Sequence, residues 1–289
     1  MDIVYLNGEF LPVERARVSV MDRGFIFGDG VYEVIPAYGG RLFRLEQHLR
    51  RLARSLAEIR LADPLRGDEW RRCLQELVRR NGGGDQSVYV QITRGGAPRD
   101  HAFPKDVQPT VYAASSPLKP PAAEVAEGGV VAVTLPDIRW QRCDIKAVTL
   151  LANILLRQQA VDQGAVEAIL VRDGRVNEGA ASNVFIVKAG VLITPPNGRY
   201  LLPGITRDLV LELAAAHGIA HREDTITPQD LADAEEVWLT SSTREILPVT
   251  RLDQRRIGSG KPGPLWQRMT SLYQDYKQTV RKRGEDPAA

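Results

Sequence analysis

Two side chains between Asp137 and Val187 have types and surroundings suited to covalent chemistry: Lys146, a candidate Schiff-base amine, and Glu178, a candidate carboxylate for tuning a bound group. Neither singles out a reaction alone, because an isolated lysine is ordinarily a solvated surface charge. The elements around them follow from the pattern. Val130, Val131, Val133 and Thr134 predict a strand running into a polar bend and then Lys146. Val148, Leu151, Ala152, Leu155 and Leu156 fall on one face of a predicted helix that starts just after the lysine. Beyond Gly164 the chain reads as a hairpin, with Asp173-Gly174 suited to a primed turn. Glu178 lies past its second strand, beside the small residues Gly179, Ala180, Ala181 and Ser182, where backbone can approach a bound group closely.

Other positions could hold an anion. Leu45, Leu49, Leu52, Leu56 and Ile59 predict an amphipathic helix whose other side carries Arg44, Arg50, Arg51, Arg54 and Arg60, most of them readable as solvated charges. Gly204-Ile205-Thr206 precedes Leu209, Val210 and Leu213, making Thr206 a predicted N-cap. The amides of such a helix start would receive an anion, although an ordinary cap explains the pattern equally. Arg99 and His101 form a pair in a polar loop, and Ser241-Ser242 reads by itself as a turn. Gly24, Gly28 and Gly30 punctuate a loop whose spacing matches neither a Walker motif nor a dinucleotide fingerprint.

The chain of 289 residues carries 38 Lys and Arg against 36 Asp and Glu, a net charge of +2, which argues against a broad cationic nucleic-acid surface. The opening MDIVYLNGEF has neither a basic n-region nor an apolar block, and no apolar segment is long enough to span a bilayer, so cytoplasm without membrane attachment is the expectation. Cys73 and Cys143 suggest neither a disulfide nor a metal site. Two α/β domains are expected: a smaller one over 1–119, a Pro-rich linker over 120–128, and a larger one over 129–289. The start IVYLNGEFLPV predicts a hairpin about Asn7-Gly8. Helices are predicted around Glu69 to Arg79 and in the terminal WQRMTSLYQDYKQTVRKR, followed by the tail RGEDPAA.

The strings DIKAVTLLAN and NEGAASNVFIV resemble the signature of the fold-type IV pyridoxal phosphate aminotransferases, and nearly the whole chain, from about Tyr5 to Val249, follows that resemblance. It is nearest to the D-amino-acid aminotransferase branch. The resemblance implies a two-domain α/β enzyme with pyridoxal 5′-phosphate in the interdomain cleft, and a homodimer. Lys146 would carry the cofactor as a Schiff base and shuttle the proton. Glu178 would face the pyridine nitrogen, and Leu202 would pack near the ring. Arg51, in the spacing His48-x-x-Arg51, would grip the phosphate together with Ile205, Thr206 and Ser242. Tyr32, Arg99 and His101 would trap the substrate α-carboxylate, and spacing leaves open whether these donors come from the same chain or across the dimer. The implied reaction exchanges the amine of a D-amino acid, D-alanine first, with a 2-oxo acid, 2-oxoglutarate first.

Alternatives on the same scaffold are an L-branched-chain aminotransferase, an aminodeoxychorismate lyase and an (R)-amine transaminase; a noncatalytic binding protein that retains the shell is the non-enzyme alternative. Ala147 and Thr149 stand where serine and asparagine are common, and Ala181 stands where a serine can reach the cofactor side. These departures bear on substrate range and rate more than on reaction type.

Overall fold

A computed structural model describes residues 2–106, 108–119 and 123–283. Contacts divide the chain into two units. One holds Met1–Lys119, Ile145–Thr149 and Lys277–Ala289; the other holds Pro120–Asp144 and Leu150–Tyr276. A single cut into 1–119 and 129–289 therefore misses two segments that pack with the first unit. The expected linker is partly helical, from Ala123 to Gly128, while 120–122 lie outside the described residues.

The first unit is built on a six-stranded antiparallel sheet in the order β2-β1-β6-β5-β3-β4, comprising β1 (Ile3–Leu6), β2 (Glu9–Pro12), β3 (Gly30–Tyr38), β4 (Arg41–Leu42), β5 (Gln86–Thr93) and β6 (Thr110–Pro117). The β1–β2 turn uses left-handed backbone at Asn7 (φ 49°) and Gly8 (φ 100°), as an Asn-Gly hairpin requires. Val88, Val90 and Ile92 alternate inward along β5 and meet Leu52 and Leu56 of α2 (Leu45–Glu58) and Trp70, Leu74 and Leu77 of α3 (Gly67–Arg80). Each such fully buried side chain contributes about 1.5–3 kcal/mol. The buried face of α2 also includes His48, Arg51 and Ser55, so Arg51 points inward instead of joining the solvated arginines. The glycine-rich loop contains an unexpected short helix, α1 (Arg23–Phe27), capped by the Asp22 side chain on the Gly24 amide and ended by left-handed Gly28.

The second unit carries a nine-stranded mixed sheet. Its path runs β12-β11-β10-β13-β14-β7-β8-β9, with β15 (Arg255–Arg256) paired to β14. Its members are β7 (Val130–Pro136), β8 (Glu167–Arg172), β9 (Arg175–Gly179), β10 (Asn183–Lys188), β11 (Val191–Thr194), β12 (His221–Glu223), β13 (Glu236–Ser241) and β14 (Glu245–Leu252). The β8–β9 loop is Asp173 (φ 50°) and Gly174 (φ 72°), the expected primed turn. β7 lies between two parallel neighbours and is apolar on both faces, with Ala132 in one core and Val133 and Leu135 in another. Helices α4 (Ala123–Gly128), α5 (Leu151–Asp162), α6 (Ile205–Ala216) and α7 (Pro228–Ala232) belong to this unit. The helix α8 (Pro264–Arg283) is divided between the units at Lys277, and the tail 284–289 lies outside the described residues.

The face predicted for α5 differs from the one buried. Leu156 and Ala160 pack inward, whereas Leu151, Ile154 and Leu155 are 70%, 61% and 55% exposed. Apolar residues surround this helix, so spacing alone could not select a side. Among the described residues, no helix is long and apolar enough to cross a membrane.

Candidate active site

Lys146 sits in a short segment that lies against the free edge of β3. The Tyr32 amide donates to the Lys146 carbonyl at 2.9 Å and the Val148 amide to the Gly30 carbonyl at 3.1 Å, while Ala147 bridges Val31. The Lys146 amide also donates to Ser55 Oγ at 3.2 Å. This fixes the lysine backbone in the first unit, and Nζ stands 4.2 Å from the centroid of the Tyr32 ring. The structure therefore brings together Lys146 and Tyr32.

On the neighbouring position of β3, Glu33 is fully buried. Arg51 Nε and Nη2 donate to its two carboxylate oxygens at 2.7 and 2.8 Å, and His48 Nδ1 donates to Oε2 at 2.7 Å. Burial opposes the charge on Glu33, but the Arg51 guanidinium and His48 outweigh it and hold the carboxyl far below its ordinary range. Burial lowers the affinity of His48 for a second proton, assisted by Arg51 and Lys146, although Glu33 acts in the opposite direction. The sequence pointed to His48 and Arg51 but not to Glu33, whose partners are 15 and 18 residues away.

Arg99 and His101 are exposed and gather around a residue the motifs did not indicate. The Arg99 guanidinium lies 5.3 Å from the Phe27 ring centroid, and the centroid of the His101 ring lies 5.3 Å from the same point. Among the described residues, no hydrogen bond, ion pair or ring contact joins either of them to Tyr32.

In the second unit, Glu178 is inside β9 instead of past it, and is buried. It accepts from Arg139 Nη1 at 2.5 Å, Asn183 Nδ2 at 3.2 Å and the Leu202 amide at 3.1 Å. Arg139 is oriented by paired bonds to Asp137 at 2.9 and 3.0 Å, and Asp137 accepts in turn from Asn177 at 2.9 Å. Burial pushes the Glu178 carboxyl up to about 7, against the pull of Arg139 and the Leu202 amide. Asn183 also donates to the Leu202 carbonyl at 2.8 Å, so Leu202 is tied through its backbone to the glutamate. Neither Arg139 nor Asn183 stood out in the sequence, since an arginine in a polar bend and an asparagine at a strand start carry no pattern.

The N-cap of α6 is Gly204, not Thr206, which is the second helical residue and buried. Gly204 offers no side-chain acceptor to the first amides of the helix, which have no intrahelical partner. A Cβ at Gly204 would collide with Asn183 Oδ1, and Asn183 is paired across the sheet with Thr240. The helix start, Asn183 and the end of β13 are therefore neighbours. Among the described residues, Thr240 Oγ1 and Ser241 Oγ are buried without hydrogen-bond partners, two and one residues before Ser242 in the turn that follows. Buried hydroxyls of this kind are normally satisfied, so the pair points to an absent acceptor.

Residues 30–252 match the family of class IV amino-transferases. The chain is 43% identical over 272 residues to a D-alanine aminotransferase from Bacillus licheniformis, across 94% of this chain and 96% of that protein. Among solved structures, a branched-chain amino acid aminotransferase from Escherichia coli aligns with a TM-score of 0.89 at 30% identity, covering 95% of this chain and 94% of that one. A branched-chain amino acid aminotransferase from the thermophilic archaeon Thermoproteus uzoniensis, solved with norvaline, aligns with a TM-score of 0.87 at 30% identity, covering 98% and 96%. Matched over most of its length by the family and by a relative well above 30% identity, this chain belongs to the class IV amino-transferases.

Proposed function

We propose that the chain is a pyridoxal 5′-phosphate-dependent D-amino-acid aminotransferase that moves an amine from D-alanine to 2-oxoglutarate. The observation that carries this reading is the 43% identity to a D-alanine aminotransferase along 94% of the chain, alongside Lys146, Glu178 and the Arg99–His101 loop in one sequence. The donor set fits the cofactor. Glu178 has three hydrogen-bond donors, and a carboxylate has about four acceptor sites, leaving one for a protonated ring nitrogen. The phosphate would be held by Arg51, the amides of Ile205 and Thr206, and Ser242, with the buried hydroxyls of Thr240 and Ser241 as further donors. Leu202 would pack beside the ring.

When bound, the pyridoxal ring supplies an electron sink for the carbanion at the substrate α-carbon. Lys146 Nζ would hold the cofactor aldehyde covalently, yield that position to the substrate amine, and then carry the proton to and from the substrate α-carbon. Tyr32, beside Nζ, would orient the substrate end, and Arg99 with His101 would bind its carboxylate. The exposed apolar stripe of Leu151, Ile154 and Leu155 supports a homodimer, in which a second copy would complete the trap. Two buried free thiols, Cys73 and Cys143, suit a reducing cytoplasm.

The likeness to branched-chain enzymes, at 30% identity, favours an L-branched-chain aminotransferase as the second reading. Steady-state pyruvate formation from D-alanine and 2-oxoglutarate tests the first. Turnover that disappears in Lys146→Ala is expected; turnover of L-leucine with none of D-alanine would replace the first reading by the second.

A further inference from the structure

We propose that Phe27 and Arg23, both on α1, are positioning residues that set the carboxylate affinity of the Arg99–His101 loop; this rests on the reading of that loop as the carboxylate trap. Arg99 and His101 are exposed, and a loop of this kind binds well only if its donors are already oriented. The Phe27 ring supplies a common surface for both, with the Arg99 guanidinium and the His101 ring each 5.3 Å from its centroid. A guanidinium is attracted to an aromatic face, and stacking fixes the plane of its donors.

Arg23 holds the loop backbone. It is 4% exposed, and its guanidinium lies 4.9 Å from the same Phe27 ring. Its Nη1 donates to the Asp100 carbonyl at 2.5 Å and the Ala102 carbonyl at 3.3 Å, and its Nη2 to the His101 carbonyl at 3.4 Å. Its Nε is fixed by Asp29 at 2.7 Å. Asp29 also accepts from Arg94 at 2.8 and 3.0 Å, and the Arg94 guanidinium covers the Phe103 ring at 3.7 Å. One helix of five residues thus grips the loop through three successive carbonyls and two side chains. The arrangement explains why the segment DRGFIFGDG, which matches no nucleotide loop, carries an arginine and an aromatic four residues apart.

A coupling experiment on the cofactor-loaded enzyme tests this. Phe27→Leu, Arg99→Ala/His101→Ala and the triple variant are compared for KM and kcat with D-alanine, with cofactor absorbance and circular dichroism verifying loading and fold. Removing both loop donors is expected to raise KM about 100-fold, and Phe27→Leu about 10-fold with kcat within about threefold. In the triple variant the Phe27 change should add less than about twofold, because it acts through donors already gone. Arg23→Lys, which keeps the charge beside Asp29 but loses the fork, should raise KM in the same way and serves if Phe27→Leu does not fold. An unchanged KM in the positioning variants, with a large effect of the loop variant, overturns the inference and leaves the trap standing. A full 10-fold effect persisting in the triple variant also overturns it. No effect of the loop variant refutes the trap and the inference together.

Discussion

Glu33→Gln tests the buried charge cluster on which the placement of Arg51 depends. The carboxylate has no solvent exposure and receives three donors, two from Arg51 and one from His48. Glutamine keeps one acceptor oxygen and turns an NH2 group toward N–H donors, leaving the buried guanidinium without its countercharge. Removing one partner of a buried, hydrogen-bonded ion pair costs about 3–5 kcal/mol. At about 2–4 °C per kcal/mol for a chain of this size, Tm should fall by roughly 6–20 °C. The pH dependence gives a second check. Glu33 has its folded value held far below the ordinary 4.5, so its stabilisation is complete above pH 4.5 and is lost as pH falls toward the folded value. Because glutamine does not titrate, the gap between the two proteins should narrow by about 1.4 kcal/mol per pH unit below 4.5. Thermal unfolding of both proteins, followed by circular dichroism from pH 7 to 3.5, measures this. A Tm within about 2 °C of the parent at pH 7, or a gap that does not narrow in acid, would refute the argument.

The second unit yields further predictions. Glu178 is raised from 4.5 to about 7, so its contribution to stability is full below pH 4.5 and is lost as pH rises through 7, about 3 kcal/mol in all. Cofactor-free parent protein should therefore lose that much more stability than Glu178→Gln between pH 4.5 and 8, and parallel unfolding curves would contradict it. Asn183→Ala removes a donor to the carboxylate and frees the Leu202 carbonyl. At about 1.5–3 kcal/mol for a hydrogen bond to a charged group, pyridoxal phosphate affinity measured by absorbance titration should drop about 10- to 100-fold. Gly204→Ala forces its methyl group into Asn183 Oδ1 and should cost about 1–3 kcal/mol by overpacking, read as a lower Tm. Serine at the same position should be no better, since the obstacle is the Cβ itself.

Local chemistry made much of the scaffold legible. Asn7-Gly8 and Asp173-Gly174 announce hairpins because a primed turn needs positive φ at both positions, and both pairs adopt it. The leucines of α2 gave that helix through their spacing. What depends on contacts far along the chain was not legible. His48 and Arg51 were legible by their spacing, but the buried Glu33 that receives both was not. Glu178 was readable as a residue, but not with Arg139 and Asn183 as its partners, 39 and 5 residues away. The helix α1 is too short to show a period, and only the Asp22 cap and left-handed Gly28 define it. Lys146 followed the strand of the second half in sequence, yet its backbone bonds to β3 join it to the first unit. Spacing reveals which residues share an element, whereas the partner across the fold decides what a charged side chain does.

The stereochemistry and the role of Lys146 meet in one experiment: the absorbance of cofactor-loaded protein mixed with D-alanine or with L-alanine, with no amino acceptor present. Conversion of the bound cofactor to its aminated form by D-alanine alone, abolished in Lys146→Ala, is the expected result. Conversion by L-alanine alone, or undiminished conversion by the Lys146 variant, would contradict the account.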